Sequence, residues 1–283
     1  MTNVMYEVAA QLPRVADGPA AIELRSVTKR FRTPSGDVYT ALRDLDLKVG
    51  RGEFVSVVGP TGCGKSTTLA LISGLTPASS GEVLVQGKPV QGIGDKLGYV
   101  FQGDVLFPWK SVLGNVSAGL RFRGVGKREA QERAREWIAK VGLTGFEDHY
   151  PHQLSGGMRK RTALAQSLIT SPEIILMDEP FSALDVQTRA LMEDELLDLW
   201  SATSASVVFV THDLEEAIAL SDRVCVITAG PGTVKGVYEI DLPRPRHVAE
   251  IRFEPRFVEL YREIWQDLRD EVLVSYERAK QNV

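Results

Sequence analysis

Apolar positions along this chain follow two periods, and segments keeping one alternate with segments keeping the other. Residues 22–27 (IELRSV), 38–49 (VYTALRDLDLKV) and 53–59 (EFVSVVG) alternate or run apolar between turn-forming clusters at Pro34-Ser35-Gly36 and Gly50-Arg51-Gly52. That pattern predicts strands. After Gly81, EVLVQG and LGYVFQ predict a further short strand pair. The period then lengthens. Residues 127–141 place Ala130, Ala134, Trp137, Ile138 and Val141 on one stripe with Arg and Glu elsewhere, as an amphipathic helix does, and a second helix is expected just after Ser155. Beyond Pro172, IILMD and SVVFVTH are apolar runs of the kind needed by strands buried on both faces of a parallel sheet. Residues 186–200 between them carry Met192, Leu196, Leu199 and Trp200 at helical spacing. DRVCVITAG reads as the last strand. From Arg246 onward, Phe257, Leu260, Tyr261, Ile264 and Leu268 keep a helical period, which predicts a C-terminal helical extension packed on the core. Residues 1–20, with Pro13, Gly18 and Pro19 and no sustained period, read as a loose tail.

Composition narrows the class without changing this outline. The 283 residues carry 33 Lys+Arg against 37 Asp+Glu, a net charge of -4. This speaks against a protein whose task is gripping nucleic acid over a broad basic face. Two cysteines, Cys63 and Cys225, cannot build a disulfide framework, which is the usage of a reduced intracellular chain. The N-terminal segment lacks the basic-then-apolar pattern of a secretory signal, and no window approaches the ~20 apolar residues of a spanning helix. The chain is expected to stay out of the bilayer, while able to sit on it through a partner.

Three segments carry candidate chemistry. Gly59-Pro60-Thr61-Gly62-Cys63-Gly64-Lys65-Ser66-Thr67 fits G-x-x-x-x-G-K-[ST], directly after an apolar strand and directly before a helix. Glycines at those points let backbone N–H groups wrap an anion, and the following helix turns its positive end toward it. Lys65 would reach β- and γ-phosphates, and the Ser66 hydroxyl would ligate Mg²⁺. EIILMDEP then supplies two carboxylates at a strand end. Asp178 is placed to hold Mg²⁺ through water and Glu179 to polarise an attacking water, although two acids after a strand also occur in ordinary loops. Leu154-Ser155-Gly156-Gly157-Met158 opens a helix rich in Arg and Lys. Ser155 can cap it and the glycines leave its first N–H groups bare, which makes a second anion site. One ATP in one subunit does not need both sites. The economical arrangement is a dimer in which this helix end closes over ATP held by the partner's phosphate loop. Arg159-Lys160-Arg161 reads as a solvated helix face. Cys63 lies inside the phosphate loop, where a helix end could lower its pKa and alkylation should block ATP. His149, His152 and His247 lack metal-ligand spacing and read as surface residues.

LSGG upstream of a carboxylate pair resembles the signature of ATP-binding cassette (ABC) ATPases, and other marks of that family follow in its order across residues 22–245. The resemblance implies an α/β fold of the P-loop NTPase, ABC type: a RecA-like parallel-sheet core, an antiparallel β subdomain and an inserted helical subdomain over about residues 104–170. The nucleotide-binding domain would span 21–245, after a tail at 1–20 and before a helical extension at 246–283. Roles follow by position. Phe31, in place of a commoner tyrosine, would stack on adenine. Gln102 would sense Mg²⁺ and water and couple to a membrane partner. Asp185, in Ser182-Ala183-Leu184-Asp185, would lie in the loop that speaks across the dimer, and His212 would contact the γ-phosphate. Lys65, Gln102, Glu179 and His212 form the expected catalytic set; Ser66, Gln102 and Asp178 form the expected Mg²⁺ set. Met158 stands where glutamine is usual, so one hydrogen bond across the dimer is expected to be missing while Ser155 and the backbone donors remain.

Three functional classes share such a cassette: the nucleotide-binding subunit of a membrane transporter, a soluble ATPase acting on ribosomes, DNA or cofactor assembly, and a regulator that no longer hydrolyses ATP. The complete catalytic set argues against the third. A single cassette with no long coiled-coil interruption argues against translation and DNA-repair members, and less against iron–sulfur assembly members. FQGDVLFPWKSVLGNV, LSGGMRKR, PFSALD and DLPRPRH with a helical tail are similar to importers of nitrate, sulfonates, taurine or bicarbonate. That likeness implies an ATP hydrolase using ATP and Mg²⁺, paired with a second cassette subunit, identical or related. It also implies transmembrane permease subunits docked near Phe107, Pro108 and Trp109, an extracytoplasmic solute-binding protein, no nucleic acid, and a peripheral place on the cytoplasmic face of the cell membrane. No residue here selects one solute over another.

Overall fold

The computed structural model describes residues 20–103 and 105–281, so the tail expected over 1–20 lies outside the described residues but for Ala20. Strands β1 (Ile22–Arg32) and β2 (Val38–Val49) form a long hairpin, and β3 (Phe54–Val58) leads into helix α1 (Lys65–Ile72). Then come β4 (Ser80–Val85), β5 (Lys88–Pro89) and β6 (Leu97–Val100), followed by helices α2 (Val112–Val116), α3 (Ala118–Phe122), α4 (Lys127–Lys140) and α5 (Gly156–Leu168). The rest runs β7 (Ile174–Asp178), α6 (Val186–Ser201), β8 (Ser206–Thr211), α7 (Leu214–Leu220), β9 (Arg223–Ile227), β10 (Val234–Glu239), α8 (Val248–Ile251) and α9 (Pro255–Gln281).

Two sheets result. The smaller is antiparallel, in the order β2-β1-β4-β5, and the larger has the order β10-β9-β3-β8-β7-β6. In the larger, β9, β3, β8, β7 and β6 are parallel and β10 is an antiparallel edge. Period two sorts the core around it. Phe54, Val58, Ile175, Met177, Val207, Phe209, Val224 and Val226 face Met192 of α6, Ile218 of α7 and Leu260 of α9. Their neighbours Val55, Val57, Ile174, Leu176, Val208, Val210, Cys225 and Ile227 face Leu69 and Ile72 of α1 and Leu24, Leu42 and Leu45 of the hairpin. Cover on both faces is why these strands read as unbroken apolar runs. A third cluster, with Val116, Leu120, Ala134, Ile138 and Ala165, joins α2 to α5.

The helices fall where the 3.6 period places them. Ala130, Ala134 and Ile138 are the buried face of α4, and Phe257, Leu260, Ile264 and Leu268 that of α9, with Tyr261 half-buried. Two expectations about strands are overturned. EVLVQG and LGYVFQ do not pair with each other: β4 joins β1 antiparallel in one sheet, while β6 joins β7 in parallel in the other. An apolar run says that a strand will be buried, not which neighbour it finds. DRVCVITAG is not the last strand either, because β10 follows. No residue of this edge strand is buried, and Gly236 interrupts its alternation where Asp267 Oδ2 and the Tyr238 ring would stand 3.0 Å from any Cβ. Among the described residues no helix is long and apolar enough to cross a membrane.

Candidate active site

The phosphate loop turns from the end of β3 into α1 through two left-handed glycines, Gly62 at φ 79° and Gly64 at φ 102°. A side chain at Gly64 would stand 2.6 Å from Leu42 Cδ2, so this position excludes both the conformation and the bulk of other residues. Helix α1 has no side-chain cap and no acid in its first turn, which leaves its positive end open to an anion. Lys65 is buried, and its Nζ donates to the carbonyls of Gly59 at 2.8 Å and Pro60 at 3.0 Å. The Cys63 side chain points away, into the core beneath the sheet. Burial pushes its thiol pKa up, against a smaller opposing pull from Lys65. The expectation of a lowered thiol pKa is therefore wrong, and the buried thiol is shielded from alkylating reagents.

The carboxylate pair meets this loop from β7. Ser66 Oγ donates to Asp178 Oδ1 at 3.0 Å. Burial raises the Asp178 pKa; the Ser66 bond opposes this and neighbouring Glu179 adds to it. Glu179 follows with a left-handed backbone, φ 44°, pinned by its N–H to the Val210 carbonyl at 2.8 Å. Such a conformation strains a residue with a side chain, and its cost is met by surrounding contacts. It turns the carboxylate so that Oε2 lies 2.9 Å from His212 Nδ1 and 3.4 Å from Gln102 Nε2. An ionised carboxylate only accepts, so Nδ1–H donates. His212 sits between two anchors: Thr211 at the end of β8, bonded to Glu216 at 2.6 Å, and Asp213, which caps α7 through the N–H groups of Glu215 and Glu216.

One cleft of about 590 Å³ gathers Phe31, Thr61, Gly62, Gly64, Lys65, Ser66, Thr67, Gln102, Glu179 and His212 on its walls. Gly59, Pro60, Cys63 and Asp178 are not among the residues that line it. Phe31 is exposed at the rim with Lys29 Nζ 4.8 Å from its ring centre. Sequence reasoning missed Tyr39, which also lines the cleft and donates from its hydroxyl to the Gly62 carbonyl at 3.3 Å. The signal was present: the hairpin pairs Phe31 with Tyr39 across β1 and β2, which puts both rings on one face. Tyr99 was also missed. It lies against Asp178, and burial followed by that acid raises its phenol pKa.

Ser155, Gly156, Gly157, Met158 and Asp185 do not line this cleft. Ser155 caps α5, its Oγ accepting from the Met158 N–H at 3.3 Å, and Asp185 caps α6 through the Thr188 N–H at 3.0 Å. That bond holds the Asp185 carboxyl below the usual carboxylate range. The run Arg159-Lys160-Arg161 is not a solvated face. Arg159 donates to the Leu154 carbonyl at 2.8 Å, Lys160 is buried with Nζ 2.6 Å from the Gln102 carbonyl, and Arg161 pairs with Glu195 at 2.5 Å. Helix α5 is sandwiched between the segment around Gln102 and α6, so positively charged side chains that a sequence scan assigns to water find carbonyls and a carboxylate instead. His152 and His247 are exposed and His149 half-buried, and among the described residues no His, Cys, Asp and Glu group forms a metal cluster.

Residues 42–182 match the family model for the ABC transporter domain. An uncharacterized ABC transporter ATP-binding protein of Methanocaldococcus jannaschii is 48% identical over 254 residues, covering 90% of this chain and 93% of that one. The taurine import ATP-binding protein TauB of Burkholderia pseudomallei is 42% identical over 236 residues, covering 82% of this chain and 91% of that one. Among solved structures, the dimeric post-hydrolysis state of an ATP-binding cassette bound to ADP and Pi superposes with a TM-score of 0.70 at 33% identity, covering 78% of this chain and all of that one. With the phosphate loop, the carboxylate pair and the signature helix in these positions, the chain belongs to the ATP-binding subunits of the ABC transporter family and is an ATP hydrolase of the ABC type.

Proposed function

We propose that this chain powers solute uptake, as the ATP-hydrolysing subunit of an importer that works as a head-to-tail pair of cassettes on a membrane permease. The observation that carries the hydrolytic part is the Glu179 carboxylate, gripped by His212 and approached by Gln102 at the wall of the cleft that the phosphate loop lines. In this reading Glu179 is the general base that takes a proton from the attacking water. His212 orients that carboxylate and contacts the γ-phosphate, and Gln102 aligns the water. Lys65 exchanges the Gly59 and Pro60 carbonyls for β- and γ-phosphate oxygens, and backbone N–H groups between Gly62 and Thr67 wrap the rest. Phe31 stacks on the adenine, with Tyr39 beside it.

Ser66 Oγ and Asp178 Oδ1, 3.0 Å apart, are a pair of hard oxygens of the kind Mg²⁺ selects, and the raised pKa of Asp178 is the penalty a cation would reverse. With Gln102 they would hold Mg²⁺, which when bound neutralises charge on the β- and γ-phosphates. Ser155, Gly156, Gly157, Met158 and Asp185 would serve the nucleotide of the second copy, a reading supported by the dimeric arrangement of the similar cassette. Likeness to a taurine import subunit supports uptake of a small anion of the taurine, sulfonate or nitrate kind, delivered by a solute-binding protein.

The docking surface of the permease in this reading is the aromatic group of Phe107, Trp109 and Phe122. Phe107 lies 5.7 Å from Trp109 and 6.1 Å from Phe122 between ring centres, and Trp109 is 72% exposed. Gentle detergent capture of the tagged chain from its native membranes, followed by mass spectrometry, should recover a polytopic permease and a solute-binding protein. Recovery of ribosomes, DNA or assembly factors without a membrane protein would overturn the transport reading. Trp109→Glu should release the permease while nucleotide binding persists; equal loss of both would count against this surface.

A further inference from the structure

Helix α9 packs against β9 and β10 and holds the turn between them. Its middle is fixed to β10: the Tyr238 hydroxyl donates to Asp267 Oδ2 at 2.6 Å, and Lys235 Nζ donates to the Asp267 carbonyl at 3.0 Å and pairs with Glu271 at 3.0 Å. Its later turns grip the connection between β9 and β10. Glu271 Oε2 accepts from the Ala229 N–H at 2.8 Å, and Arg278 Nη1 donates to the carbonyls of Ala229 and Gly230. An anion and a cation from one helix face therefore hold the donor and the acceptors of one short piece of backbone, through three charge-assisted bonds of fixed direction.

That piece of backbone lies directly against the phosphate loop. Any side chain at Gly232 would collide with the Cys63 carbonyl oxygen, and a Cβ at Gly59 would stand 2.8 Å from Ile227 Cγ1 and 2.9 Å from its carbonyl oxygen. A Cβ at Gly230 would lie 3.8 Å from the Gly62 carbonyl oxygen and 3.6 Å from the Tyr39 hydroxyl, which itself bonds Gly62. The Gly232 N–H donates to the Ala41 carbonyl at 2.8 Å and its carbonyl accepts from the Arg43 N–H at 3.0 Å, which ties the same turn to β2 beside the cleft. Packing this close passes a displacement on, and hydrogen bonds to a phosphate weaken when their donors move out of reach or alignment.

We propose that α9 sets the position of the phosphate loop through the turn at residues 229–232, which makes Glu271 and Arg278 positioning residues for nucleotide binding. The proposal rests on residues 59–67 holding the nucleotide's phosphates. Both side chains act through backbone they hold and touch no cleft residue, so their loss weakens binding rather than the chemical step.

The test uses the full chain and titration with a fluorescent ATP analogue, at a temperature where circular dichroism shows each variant folded. The Glu271→Ala, Arg278→Ala double variant should raise Kd and the ATP KM by about three- to thirtyfold, the range of coupling through a packed contact, with kcat held within about twofold. Glu271→Gln keeps an acceptor and Arg278→Lys keeps a donor, so this conservative pair should bind close to the parent. Arg278→Ala alone, at the exposed end of the helix, keeps the test open should the double variant not fold. A Kd within about twofold of the parent in the alanine variants, or a conservative pair as weak as the alanine pair, would overturn the proposal. Lys65→Ala separates the premise: if it leaves affinity intact, the reading of the phosphate loop itself fails.

Discussion

The nucleotide cleft and the signature helix are both built on glycine-rich helix starts, yet they spend their side chains differently. Around the cleft, polar groups from α1, β7 and the ends of β6 and β8 converge: Lys65, Ser66, Gln102, Asp178, Glu179 and His212 bond one another or the loop across sequence separations of up to 112 residues. Ser155, at the start of the signature helix, and Asp185, at the start of α6, each accept from one first-turn N–H of their own helix, across three residues. The first region is a site wired within one chain. The second is a pair of capped helix ends whose first-turn backbone donors lack intrahelical acceptors. Closure of the second region over a nucleotide held by another copy, as proposed, gives these two kinds of helix start different tasks.

Four experiments break or sharpen that contrast. Glu179→Gln should slow hydrolysis by about 10²- to 10⁴-fold while ATP still binds and holds two copies together, checked by single-turnover kinetics and light scattering. A variant that hydrolyses normally would remove Glu179 from its role. Lys65→Ala should weaken nucleotide binding to the single chain by about ten- to a hundredfold, the scale of lost charge-assisted hydrogen bonds, read by equilibrium titration. Ser155→Ala should leave that single-chain affinity unchanged. It should lower hydrolysis by about tenfold and cost about 1 kcal/mol of stability for the lost cap. If Ser155→Ala and Lys65→Ala lowered affinity alike, the two regions would not be separate sites.

The smallest effect concerns the seam between the regions. Arg189 donates to the Leu184 carbonyl, just before Asp185, and to Asp213, just after His212. Behind it, burial pushes Glu193 up to about 8 and Glu216 up to about 7, with Asp213 reinforcing and Arg189 opposing in both; Arg252 opposes the rise at Glu193. Folded-state pKa values above the unfolded ones mean that the folded chain keeps protons the unfolded chain releases. Stability should therefore fall as pH climbs from about 4.5 through 7 to 8. Glu193→Gln should flatten that fall, so its melting temperature exceeds the parent's by a few degrees at pH 8.5 and by less at pH 5. An unchanged pH profile would show that Glu193 is not the group that titrates.

Much of the cleft was legible because its parts are local. The glycine spacing, the strand before Gly59 and the helix after Gly64 are neighbours in sequence, and each residue type is demanded by backbone conformation or phosphate chemistry. The large parallel sheet was legible for a related reason: strands covered on both faces need unbroken apolar runs. Legibility failed where a residue's meaning depends on a distant neighbour. Lys160 reads as solvent-facing until the Gln102 segment folds over it, and Cys63 reads as reactive until the sheet above buries it. Edge strand β10 went unseen because half-exposed positions carry little pattern and because Asp267 from α9 occupies the space beside Gly236.

The amino-acid order by itself determined the buried strands of the large sheet, the longer helices, the phosphate-binding loop, the carboxylates at the end of β7 and the helix start capped by Ser155, since those follow from torsional preference and side-chain period over a few residues. Tertiary structure decided which strands became partners, turned Glu179 between Gln102 and His212, placed Tyr39 beside Phe31, and laid α9 against the turn behind the phosphate loop. Several of those outcomes join residues far apart in the chain, as Phe54 of β3 bonds Asp222 beside β9 across 168 positions. They are selected by which packing buries the most apolar surface while leaving most buried polar groups a partner, a condition on the whole chain that no short window contains.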